Sequence, residues 1–271
     1  MKTRFRLSLL LFLAAAFGCV AAQTPSATVS PAGWLVLHGG RLVEQTVSAR
    51  FAALAGLPDA PLVVIPTARG LNLTQLELEQ LKEGATRIFH TGNVIMLHAR
   101  NRKEADSEAF VEPLRRAGGV WLGGGEDRLL MSTYAGTRTV REIAAVYARG
   151  GVVGGSSAGA DVLPSFKILL PDSLHPNGGS IRKGEIGFGL LSNAAVHPHY
   201  TQMHRQNHMT LLVRNHPGVL FLGIDEDTAA IVHNGEFEVM GPGKVFACRG
   251  EPRREQPCVA LSAGQSYSLN P

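Results

Sequence analysis

The chain has 271 residues, of which 45% are hydrophobic and 18% are charged, and its formal net charge is +4. This length fits one large domain. The composition, which has no low-complexity segment and no internal repeat, excludes a disordered or repetitive chain and is ordinary for a soluble globular enzyme. Three positive charges lie in the first six residues, so +4 minus 3 leaves about +1 for the rest of the chain. A net charge this small gives no reason to expect a nucleic-acid partner.

The first 22 residues have the order of a secretory signal peptide. Three basic residues precede an apolar segment at residues 9–17, which is too short to anchor the mature protein across a bilayer. Small residues at 20–22 predict cleavage before Gln23, so we expect a periplasmic or secreted protein. A weak lipobox makes a lipoprotein anchored to the membrane at Cys19 the minor alternative.

The remaining chain is predicted to form one domain. Residues 23–32, which are rich in Thr, Ser and Pro, predict a flexible N-terminus. We expect the main domain at 33–243 and a C-terminal β extension of the same domain at 244–271.

Strands and helices alternate in the first half of the domain. Short apolar runs predict strands, and apolar residues at helical spacing between glycine-rich breaks predict helices. The predicted strands are 34–38, 62–65, 94–97, 120–122 and 151–153, and the predicted helices are 73–87, 104–117 and 137–149. Because the strands lack polar alternation, they predict a doubly wound, mostly parallel α/β sheet with helices on both faces.

The strand at 151–153 runs into a Gly-x-Ser-x-Gly segment centred on Ser157. Glycines at 155 and 159 would remove the side chains that clash around a sharp strand-to-helix turn. Such a turn presents the serine at the carboxyl edge of the sheet, next to free N–H groups of the following helix. Ser157 is therefore the candidate nucleophile. The alternative is that these small residues only pack a strand against a helix.

A second glycine-rich strand end is predicted at the same edge of the sheet. Residues 123–126 read Gly-Gly-Gly-Glu and lack the pattern of a phosphate-binding loop. We expect this segment to form a tight loop that lends backbone N–H groups to the site, and no cofactor is predicted.

Beyond residue 170 the pattern changes. The segment 172–185 is predicted to form a loop over the site, and 201–215 a helix. His199 follows a strand at 194–196, and Glu226 follows a strand at 219–224. Both would lie at the edge of the sheet that carries the serine, as a base and the carboxylate that orients it.

Two other functions are open at this point. His204 and His208 are four residues apart and would share one face of a helix, as a metal-binding pair or as part of a solvated surface. No third ligand stands at a diagnostic spacing, so no metal is predicted. A non-catalytic binding protein on the same fold is the other alternative.

The last part of the chain, after residue 224, predicts antiparallel hairpins with glycine turns. It also contains Cys248 and Cys258, an even pair in a chain that is predicted to be exported. We therefore expect a disulfide that closes a small C-terminal loop.

Four motifs together resemble the cyanophycinase and aspartyl dipeptidase (peptidase E) family of serine peptidases, and the cyanophycinase-like members most. In chain order they are 123–129 (GGGEDRL), 155–160 (GSSAGA), 189–200 (GLL through VHPHY) and 223–229 (GIDEDTA). The resemblance covers residues 34 to 243. It implies the class I glutamine amidotransferase-like fold, which is a flavodoxin-like arrangement.

The resemblance also implies roles for particular residues. Ser157 would be the nucleophile, His199 the base and Glu226 the orienting acid. The oxyanion hole would come from N–H groups of Ala158 and of the loop near Gly124 and Gly125. The substrate would be a small peptide or isopeptide, and a homodimer is an open alternative to a monomer.

The departures from the family pattern concern the residues that would bind substrate. Asp127 stands where the family has a neutral glutamine, and His197 and Pro198 replace an Asp-Gln pair. Met203 replaces an arginine, whereas Arg205 matches a family arginine. We expect Arg205 to anchor a substrate carboxylate, unless it lies on a solvated helix face, and we expect poor activity on the β-aspartyl-arginine units of cyanophycin.

Overall fold

The computed structural model describes residues 32–43, 45–169, 180–250 and 258–270, and for 180–186 it describes only the backbone. The predicted signal peptide, Cys19 and most of the predicted flexible N-terminus lie outside these residues. So does most of the loop predicted at 172–185.

An eight-stranded mixed sheet forms the centre of the molecule. Five of its strands are parallel, in the order β1, β5, β4, β2, β3, and three antiparallel strands extend the sheet beyond β1. The parallel strands are β1 (Trp34–His38), β2 (Leu62–Ile65), β3 (Val94–Met96), β4 (Gly119–Leu122) and β5 (Val152–Ser156). Because β2, β4 and most of β1 and β5 are buried on both faces, their sequences are apolar without alternation.

Eight α-helices occur in the described ranges. Buried apolar clusters lie on both faces of the sheet. The helices are α1 (Gln45–Leu54), α2 (Gln75–Phe89), α3 (Arg102–Ala105), α4 (Glu108–Val111), α5 (Asp127–Tyr134), α6 (Arg138–Ala148), α7 (Ala158–Asp161) and α8 (Gln206–Asn215). None of these helices is both long and apolar enough to cross a membrane.

The later strands complete three sheets. A two-stranded sheet pairs β6 with β7, a four-stranded sheet has the order β13, β12, β9, β8, and β10, β11 and β14 extend the central sheet. These strands are β6 (Phe166–Leu169), β7 (Ser180–Ile186), β8 (Ala194–Pro198), β9 (Leu220–Ile224), β10 (Ala229–His233), β11 (Glu236–Met240), β12 (Val245–Cys248), β13 (Cys258–Leu261) and β14 (Ser266–Ser268). The predicted α/β fold is therefore confirmed, with a C-terminal part that contributes strands to two sheets.

Several local predictions were wrong. The helix predicted at 104–117 is divided into α3, α4 and a 3-10 helix at Glu112–Arg116, because Ser107 caps a new helix and Pro113 cannot continue the α-helical hydrogen bonds. The helix predicted at 201–215 begins at Gln206. The segment from 180 to 185, predicted as loop, belongs to strand β7. The sequence did not predict α1 or α5 at all.

The two C-terminal cysteines are paired across neighbouring strands. Cys248 and Cys258 are register partners in β12 and β13, and their Sγ atoms lie 2.03 Å apart. This is the pairing that the sequence predicts.

Candidate active site

The turn after β5 holds Ser157 in a conformation that few residues adopt. Its backbone angles are φ 54° and ψ −117°, and its N–H donates to the carbonyl of His38 on the neighbouring strand at 3.0 Å. A Cβ on Gly155 would lie 2.4 Å from the Gly159 carbonyl carbon, and one on Gly159 would lie 2.2 Å from the Leu122 oxygen. Both glycines are therefore required by close backbone approach, as the Gly-x-Ser-x-Gly pattern predicts.

The three residues predicted to act together lie in one hydrogen-bonded row. His199 Nε2 is 2.8 Å from Ser157 Oγ, and His199 Nδ1 is 2.9 Å from Glu226 Oε1. All three side chains are partly exposed, and Ser157 and His199 line a cavity that substrate can enter. In this geometry the imidazole can take the serine proton through Nε2 while the carboxylate stabilises the positive charge at Nδ1.

His199 and Glu226 come from the second sheet and not from the sheet that carries Ser157. They follow the ends of the parallel strands β8 and β9, at the edge that faces the end of β5. The sequence predicted one mostly parallel sheet for all three, and the structure corrects this: β8 pairs with β9, and β9 pairs with β12, in a sheet of their own.

Backbone contacts to the loop after β1 join the two sheets at the site. The His199 N–H donates to the Gly39 carbonyl at 2.8 Å, and the Asp227 N–H donates to the Gly40 carbonyl at 2.8 Å. Asp225 lies between the loops of the acid and the base. Its carboxylate accepts from the Thr201 N–H at 3.1 Å and from the Lys244 N–H at 3.0 Å. These bonds fix the base relative to the serine.

Gly40 lies directly against the imidazole of His199. A Cβ at this position would be 2.1 Å from His199 Cε1 and 2.5 Å from Nε2, and the Gly40 φ of +114° is one that L-residues rarely adopt. Gly40 is not among the site residues that the sequence predicts. Its position right after β1, at the edge of the sheet where the serine lies, was the signal that could have found it.

The loop after β4 supplies candidate oxyanion donors. A Cβ on Gly124 would lie 3.3 Å from Ser157 Cβ and 3.9 Å from Ser157 Oγ, so its backbone passes next to the serine. Gly125 and Ala158 line a cavity together with Ser157. In the described part of the chain, no protein acceptor takes the N–H of Gly124, Gly125 or Ala158. These groups are therefore free to bind an oxyanion.

We expect Gly124→Ala to lower kcat by about 10-fold to 10²-fold while the protein stays folded, because the new methyl group occupies the space beside Ser157 Oγ. Steady-state kinetics and a thermal melt would test this. Gly92→Ala is the matched control, since a Cβ there meets nothing within 4 Å. Unchanged kcat in Gly124→Ala would mean that the substrate carbonyl does not approach this loop.

A polar cavity of about 210 Å³ opens on one side of Ser157. Among its lining residues are all four predicted substrate-binding residues, Asp127, His197, Met203 and Arg205. The structure therefore brings the predicted substrate-binding set to the candidate nucleophile.

Lys167 balances the negative charge of Asp127. The Lys167 ammonium contacts the Asp127 carboxylate and lies 3.9 Å from Asp161 Oδ2. Burial raises the pKa of Asp127, but the hydrogen bond and charge of Lys167, together with hydrogen bonds from Asp161 and the Arg128 N–H, outweigh burial and leave this pKa below its usual value. Burial raises the pKa of Asp161 well above its usual value, so protonated Asp161 can donate a hydrogen bond to the Asp127 carboxylate.

Asp161 and Lys167 are not among the site residues that the sequence predicts. Asp161 follows Ser157 by four residues, at the end of the helix α7 that the serine turn begins, and this spacing was an available signal. Lys167 lies on β6, and no sequence pattern placed it near Asp127.

Burial keeps His197 neutral. It is 1% exposed, its Nε2 lies 2.9 Å from His208 Nδ1, and burial lowers its pKa to about 2. Met203 is 54% exposed, and Arg205 is half-buried with its Nη2 2.8 Å from Met203 Sδ. Arg205 Nε is buried without a hydrogen-bond partner among the described residues. Arg205 is therefore a cavity residue and does not lie on a solvated helix face.

The histidine pair that suggested a metal site is not formed. His204 lies in the turn before α8 with φ 52°, whereas His208 is on α8 and faces His197. The two histidines therefore do not share a helix face. In the described ranges, no three His, Cys, Asp or Glu side chains cluster in a way that could hold a metal.

A serine on a strained turn at the carboxyl edge of the central sheet, with a histidine and a carboxylate from the second sheet in hydrogen-bonded order, is the arrangement typical of serine-type hydrolases. The family model described as "Peptidase family S51" matches residues 36–240 of this chain. The chain therefore belongs to peptidase family S51 and is a serine-type peptidase.

Curated relatives agree with this class, and solved structures agree with the fold. The chain is 29% identical over 231 residues to a cyanophycinase from Nostoc sp., which covers 82% of this chain and 74% of the relative. It is 26% identical over 220 residues to a cyanophycinase from Geminocystis herdmanii, with 79% and 77% covered. Its fold resembles the crystal structure of a peptidase from an acI-B1 actinobacterium, with a TM-score of 0.70, 24% identity, and 87% and 96% of the two chains covered. It also resembles a putative peptidase E protein from Listeria monocytogenes, with a TM-score of 0.55, 18% identity, and 77% and 98% covered.

Proposed function

We propose that this peptidase hydrolyses small peptides or isopeptides with an acidic residue before the cleaved bond, through Ser157, His199 and Glu226. The observation that carries this proposal is the row of hydrogen bonds from Ser157 Oγ to His199 at 2.8 Å and from His199 to Glu226 at 2.9 Å.

In the acylation step Ser157 Oγ attacks the carbonyl carbon, and His199 Nε2 takes the serine proton. The oxyanion that forms accepts hydrogen bonds from the loop at Gly124 and Gly125 and from Ala158. The C–N bond then breaks, and His199 Nε2 gives its proton to the leaving amine. The product of this step is an acyl-enzyme on Ser157.

The deacylation step repeats this sequence with water. His199 Nε2 takes a proton from water as the water oxygen attacks the acyl carbon. The second tetrahedral intermediate collapses when the bond to Ser157 Oγ breaks, and Oγ recovers the proton from His199. Glu226 stabilises the imidazolium in both steps, and Gly40 and the Gly39 carbonyl keep the ring in position.

The charges in the polar cavity support a preference for a substrate with an acidic residue before the cleaved bond. Lys167 balances Asp127, and burial favours the neutral form of Asp161, so the Arg205 guanidinium can meet a substrate carboxylate. His197 is neutral and adds no charge. The cavity lacks the polar partners that the family uses for β-aspartyl-arginine, so cyanophycin should be a poor substrate.

Hydrolysis of a panel of α- and β-aspartyl dipeptides and of cyanophycin by the purified protein tests this function directly. We expect turnover of aspartyl dipeptides and little release from cyanophycin. If no peptide of the panel is cleaved, labelling of Ser157 by a fluorophosphonate, located by peptide mass spectrometry, would show whether the serine is unreactive or the panel lacks the right substrate. Efficient cleavage of cyanophycin would overturn the assigned specificity but not the mechanism.

We expect Arg205→Ala to raise KM for an aspartyl dipeptide about tenfold with a smaller change in kcat, because it removes a charge-assisted contact to the substrate carboxylate. The control is Arg214→Ala, at an exposed position near the end of α8, the helix that Arg205 precedes. Equal KM values for the two variants would show that Arg205 does not anchor the substrate.

We further propose that the protein is exported, that its mature chain starts near Gln23, and that it keeps the Cys248–Cys258 disulfide. The closed loop is short, with a sequence separation of 10, so the bridge should stabilise the fold by about 2–3 kcal/mol. Intact mass of the exported protein should rise by two hydrogens on reduction. Two free thiols in the exported protein would contradict the bridge, and an intact N-terminus would contradict cleavage.

A further inference from the structure

A second and larger cavity opens on the other side of Ser157. It has a volume of about 570 Å³, within the range of small-ligand sites, and lies between α2 and the ends of β2, β4 and β5. Ser157 and His199 line both this apolar cleft and the polar cavity that contains Arg205. A substrate whose reacting carbonyl lies at Ser157 therefore extends into both.

Apolar side chains form most of the wall of the apolar cleft. Trp121 is 5% exposed and packs against Phe89, with ring centroids 5.2 Å apart. The backbone of Gly154 also packs closely against Trp121, since a Cβ at this glycine would lie 2.7 Å from the indole. Leu81 and Ile88 on α2 and Met96 on β3 are only half-buried. Half-exposed apolar side chains grouped beside a nucleophile are typical of a binding surface.

The charged side chains that line the apolar cleft in the described structure are all positive. Arg41 and Arg69 are exposed and line it, and no acidic residue is among its described lining residues. Arg41 Nη1 lies 3.5 Å from Glu226 Oε2, which leaves most of the guanidinium open to solvent. The cleft therefore favours an apolar group that carries a negative charge and disfavours a cationic side chain.

We propose that the apolar cleft binds the residue on the leaving side of the cleaved bond, and that this residue has an apolar side chain and a free carboxylate. The polar cavity takes the acidic acyl part, an assignment that rests on the function proposed above. The preferred substrate is then an aspartyl or β-aspartyl dipeptide ending in a residue such as leucine or phenylalanine. Arg69 and Arg41 meet its terminal carboxylate, and Trp121, Leu81 and Ile88 meet its side chain.

Binding of the leaving product tests this proposal without any turnover. The chain has two tryptophans, so Trp34→Phe leaves Trp121 as the only fluorescent reporter. Titration with L-leucine should change Trp121 emission, and L-arginine should bind at least about tenfold more weakly. L-Leucinamide, which lacks the carboxylate, should bind about fivefold more weakly than L-leucine. No response to L-leucine up to its solubility limit, or an equal response to L-arginine, would overturn the proposal.

Variants with controls on the same helix locate the binding. Leu81→Asn should weaken L-leucine binding about fivefold, whereas Leu76→Asn, at a 63% exposed position of α2 outside the cleft, should not. Arg69→Ala should reduce the difference between L-leucine and L-leucinamide, and Arg87→Ala, on the exposed surface of α2, should leave it unchanged. If Leu81→Asn and Leu76→Asn bind alike, the site lies elsewhere and the proposal fails.

Dipeptide kinetics then separate this proposal from the function on which it rests. We expect kcat/KM for Asp-Leu to exceed that for Asp-Arg by at least about tenfold. Cleavage of Asp-Leu and Asp-Arg at equal rates would contradict the proposed preference for an apolar leaving residue and leave the peptidase function intact. Binding of L-leucine without cleavage of any aspartyl dipeptide would support the cleft and overturn the proposed acidic specificity.

Discussion

Ser157→Ala is expected to lower kcat for any peptide substrate by about 10⁴-fold or more, with little effect on folding, because it removes the atom that attacks the carbonyl. Among the described residues Ser157 Oγ makes one hydrogen bond, which it donates to His199 Nε2, and its removal leaves the sheets intact. Single-turnover and steady-state kinetics on an aspartyl dipeptide, together with a thermal melt, would measure both effects.

The neighbouring serine provides the matched control for this variant. Ser156→Ala removes a hydroxyl that lies 3.1 Å from His38 Nδ1, and should change kcat by less than about tenfold. His199→Ala should match Ser157→Ala, since members of such a row act as a unit, and Glu226→Gln should retain more activity. Wild-type turnover in Ser157→Ala would remove the serine mechanism altogether.

Gly40→Ala is expected to lower kcat by at least about 10²-fold, although this residue carries no functional group. The added Cβ would lie 2.1 Å from His199 Cε1 and 2.5 Å from Nε2, so the imidazole must leave its position beside Ser157. The φ of +114° adds backbone strain of about 1–3 kcal/mol to the folded state. Kinetics and the melting temperature would be compared at the same pH.

Gly264→Ala separates the two effects of the Gly40 substitution. Gly264 has φ +78°, and a Cβ there meets nothing within 4 Å, so its substitution introduces strain without touching the site. It should lower the melting temperature and leave kcat unchanged. If Gly40→Ala had the same small effect on kcat, the ring of His199 would not depend on Gly40 for its position.

The local chemistry of the site could be predicted from short segments. Ser157 stands in a spacing whose glycines are required by backbone contacts within a few residues and with adjacent strands, and His199 and Glu226 each follow an apolar strand directly. Residues at strand ends were therefore predictable, because apolar runs determine the strands and parallel strands share an edge.

Some predictions of helices were wrong, and the reasons are local. The apolar pattern at 104–117 is continuous, but Ser107 and Pro113 interrupt the backbone hydrogen bonds, and the pattern of apolar residues alone did not reveal this. Helix α5 was missed because its start, at Asp127, is separated by only one residue from three glycines that predict a loop.

By itself the sequence determined the buried parallel strands, the strained serine turn and the residue types of the site, since each of these depends on neighbours in the chain. Only the tertiary structure decided that β8 and β9 form a sheet of their own, that Lys167 balances Asp127, and that Gly40 supports His199. Each of these contacts joins residues that are 40 or more positions apart or depends on strand pairing. No spacing in the sequence records such proximity, because it arises from how the sheets pack.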